Sequence, residues 1–265
     1  MKEYAVITNG LTKEYGKKQV VNSVDMHIEK GDIYGFIGKN GAGKTTVMKM
    51  LCGMCNPSDG SYTLFGMENA DEARKKIGSL IENPALFPKY TVKKNLTYYT
   101  KLKNISTEKM NSLLNLVGLP KSVMKKKAEN LSLGMKQRLS IAIALMNDPE
   151  LLILDEPMNG LDPEGMADIR TLLIKLNRER GITILISSHI LGELEKIATR
   201  YGVIRDGVLV EEIEADELHH MSSGKMVIES EDMEKVQKIL AENGITLTRS
   251  SEQSEDIEGL FRKTA

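Results

Sequence analysis

The 265-residue chain has no tryptophan, and aromatic side chains make up only 5% of its residues. It has two cysteines, Cys52 and Cys55, which form a single C-x-x-C pair. A metal or redox site built on this motif needs a second ligand pair, and the sequence does not supply one. We therefore expect both cysteines to be small apolar residues at a helix end, in a reducing compartment.

Long hydrophobic runs are also missing. The longest, such as ITILISS at 182–188, is far shorter than the roughly 18 residues of a membrane-spanning helix. The charged first residues contain no apolar segment of the signal-peptide kind. The formal net charge is −1, so no overall basic field favours nucleic acid as a partner. We expect a cytoplasmic protein that binds no nucleic acid and reaches a membrane only through a partner.

The pattern of apolar residues predicts an α/β fold. Residues 1–30 alternate apolar and polar positions, which favours antiparallel strands. Beyond them, apolar strands alternate with amphipathic helices; the strands are predicted at 33–38, 151–157 and 182–189, and the helices at 45–53 and 165–181. Such alternation implies a mostly parallel sheet with helices on both faces.

The same patterns divide the chain into two parts. Residues 1–220 form one large domain, in which residues 83–150 are mainly helical. Within this domain, residues 203–212 are predicted to form a hairpin that turns at Asp206 and Gly207. Residues 221–265 then read as strand, helix, strand and short helix. We expect a small C-terminal α+β appendage, whose role the sequence does not indicate.

The segment GKNGAGKT at 38–45 matches the phosphate-loop pattern G-x-x-x-x-G-K-[ST], and it lies between a predicted strand and a predicted helix. Its three glycines permit positive φ and remove side chains, so that backbone N–H groups can converge on phosphate oxygens. The positive end of the helix dipole adds to the attraction. Together these residues predict a nucleotide-phosphate site, formed by Gly38, Lys39, Asn40, Gly41, Ala42, Gly43, Lys44, Thr45 and Thr46.

The sequence also supplies groups for magnesium and for catalysis. Lys44 is expected to bridge the β- and γ-phosphates, and the Thr45 hydroxyl to bind Mg²⁺. Asp155 emerges at the carboxyl end of the apolar strand LLIL, where a second magnesium ligand is needed. Glu156 follows at once and is placed to orient an attacking water. The chain is thus predicted to use ATP and Mg²⁺.

Further motifs carry a family resemblance. The segment LSLGMKQR at 131–138 is similar to the LSGGQ signature of ATP-binding cassette (ABC) ATPases. Three single residues match other motifs of that family: Tyr15 in LTKEYG the aromatic A-loop, Asp162 in NGLDP the D-loop, and His189 in ISSHIL the switch histidine. The motifs follow the family's order over roughly residues 5–210. The chain is identified as resembling ABC ATPases, which implies a P-loop NTPase of that type over residues 1–220.

The resemblance implies that two copies pack head to tail, with two ATP molecules between them. Ser132 and Gly134 of one copy would contact the γ-phosphate that Lys44 of the other copy holds. Without that phosphate the facing surfaces lose their charge-assisted contacts and separate. A second nucleotide-binding domain, in a homodimer, is therefore an expected partner.

The resemblance assigns roles to three more side chains. Tyr15 would stack on adenine, His189 would hold the γ-phosphate, and Asp162 would link the two ATP sites. Each residue has a plainer alternative. Tyr15 could be a surface aromatic and His189 a satisfied core histidine, while Asp162 could cap the helix that starts at Pro163.

Two positions depart from the family pattern. In the signature, Leu133 replaces a glycine and Met135 replaces a glutamine, although the expected phosphate contacts are retained. Glu82, in SLIENPALFPKY, stands where the family usually has a metal-sensing glutamine. Its carboxylate would be repelled by phosphate unless Mg²⁺ lay between them. We therefore hypothesise that Glu82 binds or faces Mg²⁺; the alternative is a surface glutamate that never meets the site.

The two departures together resemble the ATPases of bacterial exporters that protect against lantibiotics and bacitracin. This resemblance implies an ATP hydrolase bound to separately encoded transmembrane permease subunits, on the inner face of the cell membrane. Leu86, Phe87 and Tyr90 would contact the permease, or would instead pack inside the helical subdomain. The alternative function is a soluble ABC ATPase, such as the iron–sulfur cluster assembly type.

Overall fold

The computed structural model describes residues 2–82 and 86–217. The chain divides into two compact units, Met1–Ile213 and Glu214–Ala265. The predicted appendage at 221–265 lies outside the described residues, and so does part of the segment that follows Glu82.

Strands and helices follow each other along this unit. In chain order, the strands are β1 Tyr4–Tyr15, β2 Lys18–Val24, β3 His27–Glu29, β4 Ile33–Ile37, β5 Asp59–Leu64, β6 Ile77–Leu80, β7 Leu151–Leu154, β8 Thr183–Ser188, β9 Arg200–Arg205 and β10 Val208–Glu214. The α-helices are α1 Lys44–Leu51, α2 Ala70–Arg74, α3 Val92–Leu102, α4 Lys109–Leu116, α5 Leu133–Ala144, α6 Pro163–Arg180 and α7 Leu191–Leu194.

The two sheets confirm the predicted mixture of antiparallel and parallel strands. β1 pairs antiparallel with β2, β3 and β5. The second sheet has the order β10-β9-β4-β8-β7-β6 in the described residues, with parallel pairing from β9 to β6. The central strands β4, β7 and β8 are buried along their whole length, as is usual for the inner strands of a parallel sheet.

The structure confirms the predicted turn between β9 and β10 and the predicted ends of two helices. The hairpin between β9 and β10 turns at Asp206 and Gly207, which both have positive φ, as a two-residue turn of this kind needs. α6 ends at Gly181 in the left-handed conformation. Cys52 caps the end of α1, and burial raises its pKa to about 11; both it and Cys55 are free thiols.

β5 and β6 were not predicted from the pattern. Most residues of β5 are exposed, so the sequence DGSYTL lacks the alternation that marks a half-buried strand. β6 has only four residues, and Gly78 within it lies so close to the Ala144 carbonyl that a Cβ would be 2.4 Å from that oxygen. Such a short, glycine-containing strand gives little signal in the sequence.

The register of the parallel sheet places several loops at one edge. Ile37 pairs with Ser188, while Leu154 pairs with both Ile186 and Leu80. The loops after β4, β6, β7 and β8 therefore leave the sheet side by side at its carboxyl edge, the usual ligand-binding edge of such sheets.

Candidate active site

The loop between β4 and α1 forms a concave turn of backbone. Gly41 and Gly43 have φ values of 84° and 110°, so both use the left-handed region as predicted. Gly38 does not; it is needed because a Cβ there would lie 2.5 Å from the carbonyl oxygen of Ile204. Of the two properties predicted for it, positive φ and the absence of a side chain, Gly38 thus uses only the second, which allows close packing against β9.

Lys44 is the buried cation of this loop. Its Nζ donates hydrogen bonds to the carbonyl oxygens of Gly38 at 2.5 Å and Lys39 at 3.2 Å. Its side chain is only 5% exposed, and Nζ also lies 3.5 Å from Glu156 Oε1. An ammonium held in this way is a fixed positive charge at the centre of the loop.

Thr45, Asp155 and Ser187 form a buried hydrogen-bonded chain. The Thr45 hydroxyl donates to Asp155 Oδ2 at 2.8 Å, and the Ser187 hydroxyl donates to Asp155 Oδ1 at 2.7 Å. Asp155 thus has both carboxylate oxygens fixed by side chains from α1 and β8. Ser187 was not singled out in the sequence, because a serine at the end of an apolar strand is common in any fold.

These residues fit a magnesium ion that arrives with a nucleotide. The Thr45 hydroxyl and the Asp155 carboxylate are hard oxygen donors, and Mg²⁺ is usually held by one or two carboxylates plus substrate phosphates. In residues 2–82 and 86–217, no cluster of three or more His, Cys, Asp or Glu side chains could hold a metal alone. A magnesium site in which phosphate oxygens complete the ligands from Thr45 and Asp155 agrees with both findings.

Glu156 lies between Lys44 and His189. Its Oε2 is 2.6 Å from Nδ1 of His189, and its backbone N–H donates to the Ser187 hydroxyl at 2.9 Å. Its other oxygen, Oε1, is buried and accepts no hydrogen bond from the described residues. Glu156 also has a φ of 50°, which is unusual for a residue other than glycine and is typical of functional sites. The carboxylate can thus accept a hydrogen bond from a water.

Tyr15, at the end of β1, is 52% exposed, and Lys13 Nζ lies 5.1 Å from the centre of its ring. The pKa of the Tyr15 hydroxyl is raised, mainly because of its hydrogen bond with Cys55. An exposed, neutral aromatic ring suits stacking on a base. The structure therefore leaves the predicted adenine contact available.

The other predicted nucleotide contacts lie at two helix starts. The Ser132 hydroxyl accepts a hydrogen bond from the Met135 N–H and so caps α5, whose first turn contains Gly134. Asp162 caps α6 by accepting from the Gly165 N–H at 3.0 Å, which confirms the alternative role considered for it. The side chains of Ser132 and Asp162 thus bond the first turns of their own helices. These two hydrogen bonds do not connect them to Lys44.

Glu82 comes two residues after β6 and has a φ of 61°. Its carboxylate is paired with Lys49 of α1, with Nζ 2.5 Å from Oε1. The pKa of Lys49 is raised, mainly because of this hydrogen bond. Lys49 was not singled out in the sequence, because nothing near it indicates a partner 33 residues away.

Asn95, another residue that the sequence did not indicate, fixes the backbone of the segment from Phe87 to Thr91. It is fully buried in α3. Its Oδ1 accepts from the Phe87 N–H at 2.8 Å, and its amide group donates to the carbonyls of Phe87, Tyr90 and Thr91 at 3.1–3.3 Å. Phe87 and Tyr90 are each 37% exposed, so neither ring is fully buried in the helical subdomain.

Comparison with known proteins gives the same assignment as the site. The ABC transporter family model matches residues 21–159, and a model described as an AAA domain, putative AbiEii toxin, Type IV TA system, matches residues 125–195. The bacitracin transport ATP-binding protein BcrA of Enterococcus faecalis is 41% identical, over 98% of this chain and 96% of its own length. The lantibiotic transport ATP-binding protein SrtF of Streptococcus pyogenes is 45% identical, over 78% of this chain and 89% of its own length.

Solved structures share the fold. The dimeric bacterial ABC transporter cassette MJ0796 superimposes with a TM-score of 0.71 at 25% identity, covering 79% of this chain and 98% of that one. The same cassette in a post-hydrolysis state, bound to ADP and Pi, gives a TM-score of 0.70 at 26% identity over the same shares. The similarity thus extends over nearly the whole length of both the relatives and the structures.

Proposed function

Since this chain belongs to the ABC transporter ATP-binding family, we propose that it powers the export of bacitracin-like or lantibiotic-like peptide antibiotics and so protects the cell that makes it. It is an ATP-binding and ATP-hydrolysing subunit of the ABC type. The cargo is inferred from BcrA and SrtF, whose names state bacitracin and lantibiotic transport. No observation favours the iron–sulfur cluster assembly alternative.

The arrangement of Lys44, Glu156 and His189 is the observation on which this function rests. A buried cation, a carboxylate with one oxygen that accepts no hydrogen bond from the described residues, and an imidazole meet beside the Thr45–Asp155 pair. When bound, Mg²⁺ would neutralise phosphate charge at Thr45 and Asp155. Lys44 would bind the β- and γ-phosphates, Glu156 would accept a hydrogen bond from the attacking water, and His189 would orient Glu156 and contact the γ-phosphate.

A second copy of the chain would complete each ATP site. Ser132 stands at the start of the 12-residue helix α5, whose dipole favours an anion at that end. Leu133, beside it, is 46% exposed, and Gly134 presents no side chain. This surface would face the γ-phosphate bound by Lys44 of the other copy, with Asp162 between the two sites. Homodimerisation would then depend on ATP.

Membrane attachment would depend on separately encoded permease subunits. In the described residues, no helix has both the length and the apolar character to cross a bilayer. The exposed rings of Phe87, Tyr90 and Tyr98 form a cluster, with ring centres 5.2 Å and 4.8 Å from Phe87. Leu102, later on α3, is 68% exposed. An apolar cytoplasmic segment of a permease would cover this aromatic cluster and hold the chain on the inner face of the membrane.

A protection assay tests the proposal. Cells that produce this chain with its permease should survive more bacitracin or lantibiotic than cells with the Glu156→Gln variant, and the chain should co-purify with the permease from membranes. Full protection by the inactive variant would contradict ATP-driven export. Normal ATP hydrolysis without protection or co-purification would contradict the transport role alone.

A further inference from the structure

The ion pair between Lys49 and Glu82 joins the phosphate-loop helix to the loop after β6. Lys49 lies on α1, four residues after Thr45, so both side chains project from the same face of that helix. Side chains on a helix also lean towards its N-terminus, which directs Lys49 towards the turn that carries Thr45. Lys49 therefore holds a positive charge on the side of α1 that carries a magnesium ligand.

The strand register brings Glu82 to the same place. Leu80, the last residue of β6, pairs with Leu154, the last residue of β7, and the Asp155 N–H donates to the Leu80 carbonyl at 2.8 Å. The loops that carry Glu82 and Asp155 thus start side by side. Yet the Glu82 carboxylate bonds Lys49, whereas Asp155 bonds Thr45 and Ser187.

We propose that Lys49 is a positioning residue, which holds Glu82 away from the magnesium ligands until nucleotide and metal bind, when Glu82 exchanges Lys49 for the metal. This inference rests on the proposed function and adds a residue to it.

The environment of the pair allows such an exchange. The side chains of Lys49 and Glu82 are 31% and 58% exposed, so water can replace either partner. Lys44, by contrast, is 5% exposed and bonded to its own loop, which makes it a fixed charge. The left-handed backbone at Glu82 is a strained conformation of the kind found at switch regions.

The pair has a predictable effect on metal binding. Lys49 neutralises the carboxylate and repels a divalent cation, so both effects weaken the metal site. Only the first effect requires Glu82. A double-mutant cycle therefore separates the exchange from simple charge repulsion.

The measurement is the affinity of the purified full-length chain for a fluorescent, non-cleavable ATP analogue, with EDTA and with saturating Mg²⁺. The dissociation constant with EDTA, divided by the dissociation constant with saturating Mg²⁺, reports how strongly metal and nucleotide strengthen each other's binding, independently of turnover. Lys49→Met should raise this ratio about two- to fivefold, the strength of a typical exposed ion pair. Lys49→Arg, which can keep the pair, should leave the ratio close to that of the wild type.

A matched control removes an equivalent charge elsewhere. Lys109 of α4 pairs with Asp148 at 2.6 Å and is similarly exposed, so Lys109→Met should not change the ratio. Melting temperatures of all variants should stay near that of the wild type, because both ion pairs lie at the surface.

The Glu82→Gln background decides the result. In that background we expect Lys49→Met to raise the ratio clearly less than in the wild type, because only the charge repulsion remains. An equal rise in both backgrounds, or no rise in either, would overturn the role of Lys49 while leaving ATP binding intact. A wild-type chain that binds no nucleotide with or without Mg²⁺ would overturn the proposed function as well.

Discussion

Ser187 bonds both members of the Asp155–Glu156 pair: its hydroxyl donates to Asp155 Oδ1 at 2.7 Å and accepts from the Glu156 N–H at 2.9 Å. One buried side chain on β8 thus fixes the carboxylate of the proposed metal ligand and the backbone of the proposed base, which both follow β7. This contact ties the loop after β7 to the neighbouring strand β8. Its removal should affect both.

Ser187→Ala should lower ATP hydrolysis by about tenfold or more and destabilise the fold by about 1–3 kcal/mol, because Asp155 would lose a buried hydrogen bond. Hydrolysis rates at several Mg²⁺ concentrations and urea unfolding measure the two effects. Ser188→Ala is the control, since the Ser188 hydroxyl bonds only the backbone of Ile190. Similar losses in both variants would deny Ser187 its particular role.

Asn95→Ala should destabilise the chain by about 1–3 kcal/mol, because four backbone groups of the loop would lose a buried partner. It should also reduce co-purification with the permease, since Phe87 and Tyr90 would no longer be held in place. Asn115→Ala, at an exposed position of α4, should change neither property. Normal permease binding by a folded Asn95→Ala variant would place the docking surface elsewhere.

Phe87→Ala and Tyr90→Ala should uncouple transport from hydrolysis while leaving ATP binding unchanged. Both rings are exposed, and neither is a partner of Lys44, so the proposed permease contact is lost while the phosphate loop keeps its contacts. ATP affinity and antibiotic protection are the two measurements. Val210→Ala truncates a comparably exposed apolar residue on β10 and should preserve protection. Unaltered complex assembly and protection in the aromatic variants would contradict this contact.

Gly38→Ala should abolish nucleotide binding and cost about 1–3 kcal/mol of stability, because its new Cβ would meet the Ile204 carbonyl. Gly66→Ala is the control: its φ is 66°, but a Cβ there meets nothing within 4 Å. The Gly66→Ala variant should lose about 1 kcal/mol of stability and keep its nucleotide affinity. Nucleotide titration and thermal unfolding distinguish the two outcomes.

The parts of the site predictable from the sequence are those with a local signal. The phosphate loop has fixed spacing, and Asp155 follows an apolar strand that places it at the sheet edge. Ser187 and Asn95 act through contacts between distant segments, for which a single sequence offers no pattern. The neighbour that makes Gly38 necessary was likewise not predictable, because the nearby carbonyl of Ile204 belongs to β9, far along the chain.

The same distinction applies to the fold. α6 was predictable because its apolar positions repeat over 18 residues and Gly181 ends it. β6 was not, although it carries Glu82 to the site, because four residues set no period. The ion pair of Glu82 with Lys49 depends on that strand's register and so could not be foreseen either.

We propose that ATP holds two copies of this chain together until hydrolysis releases them. Sedimentation of the Glu156→Gln variant with Mg²⁺ and either ATP or ADP measures this association. We expect twice the mass of one chain with ATP and a single-chain mass with ADP. A single-chain mass in both cases, with ATP demonstrably bound, would contradict it.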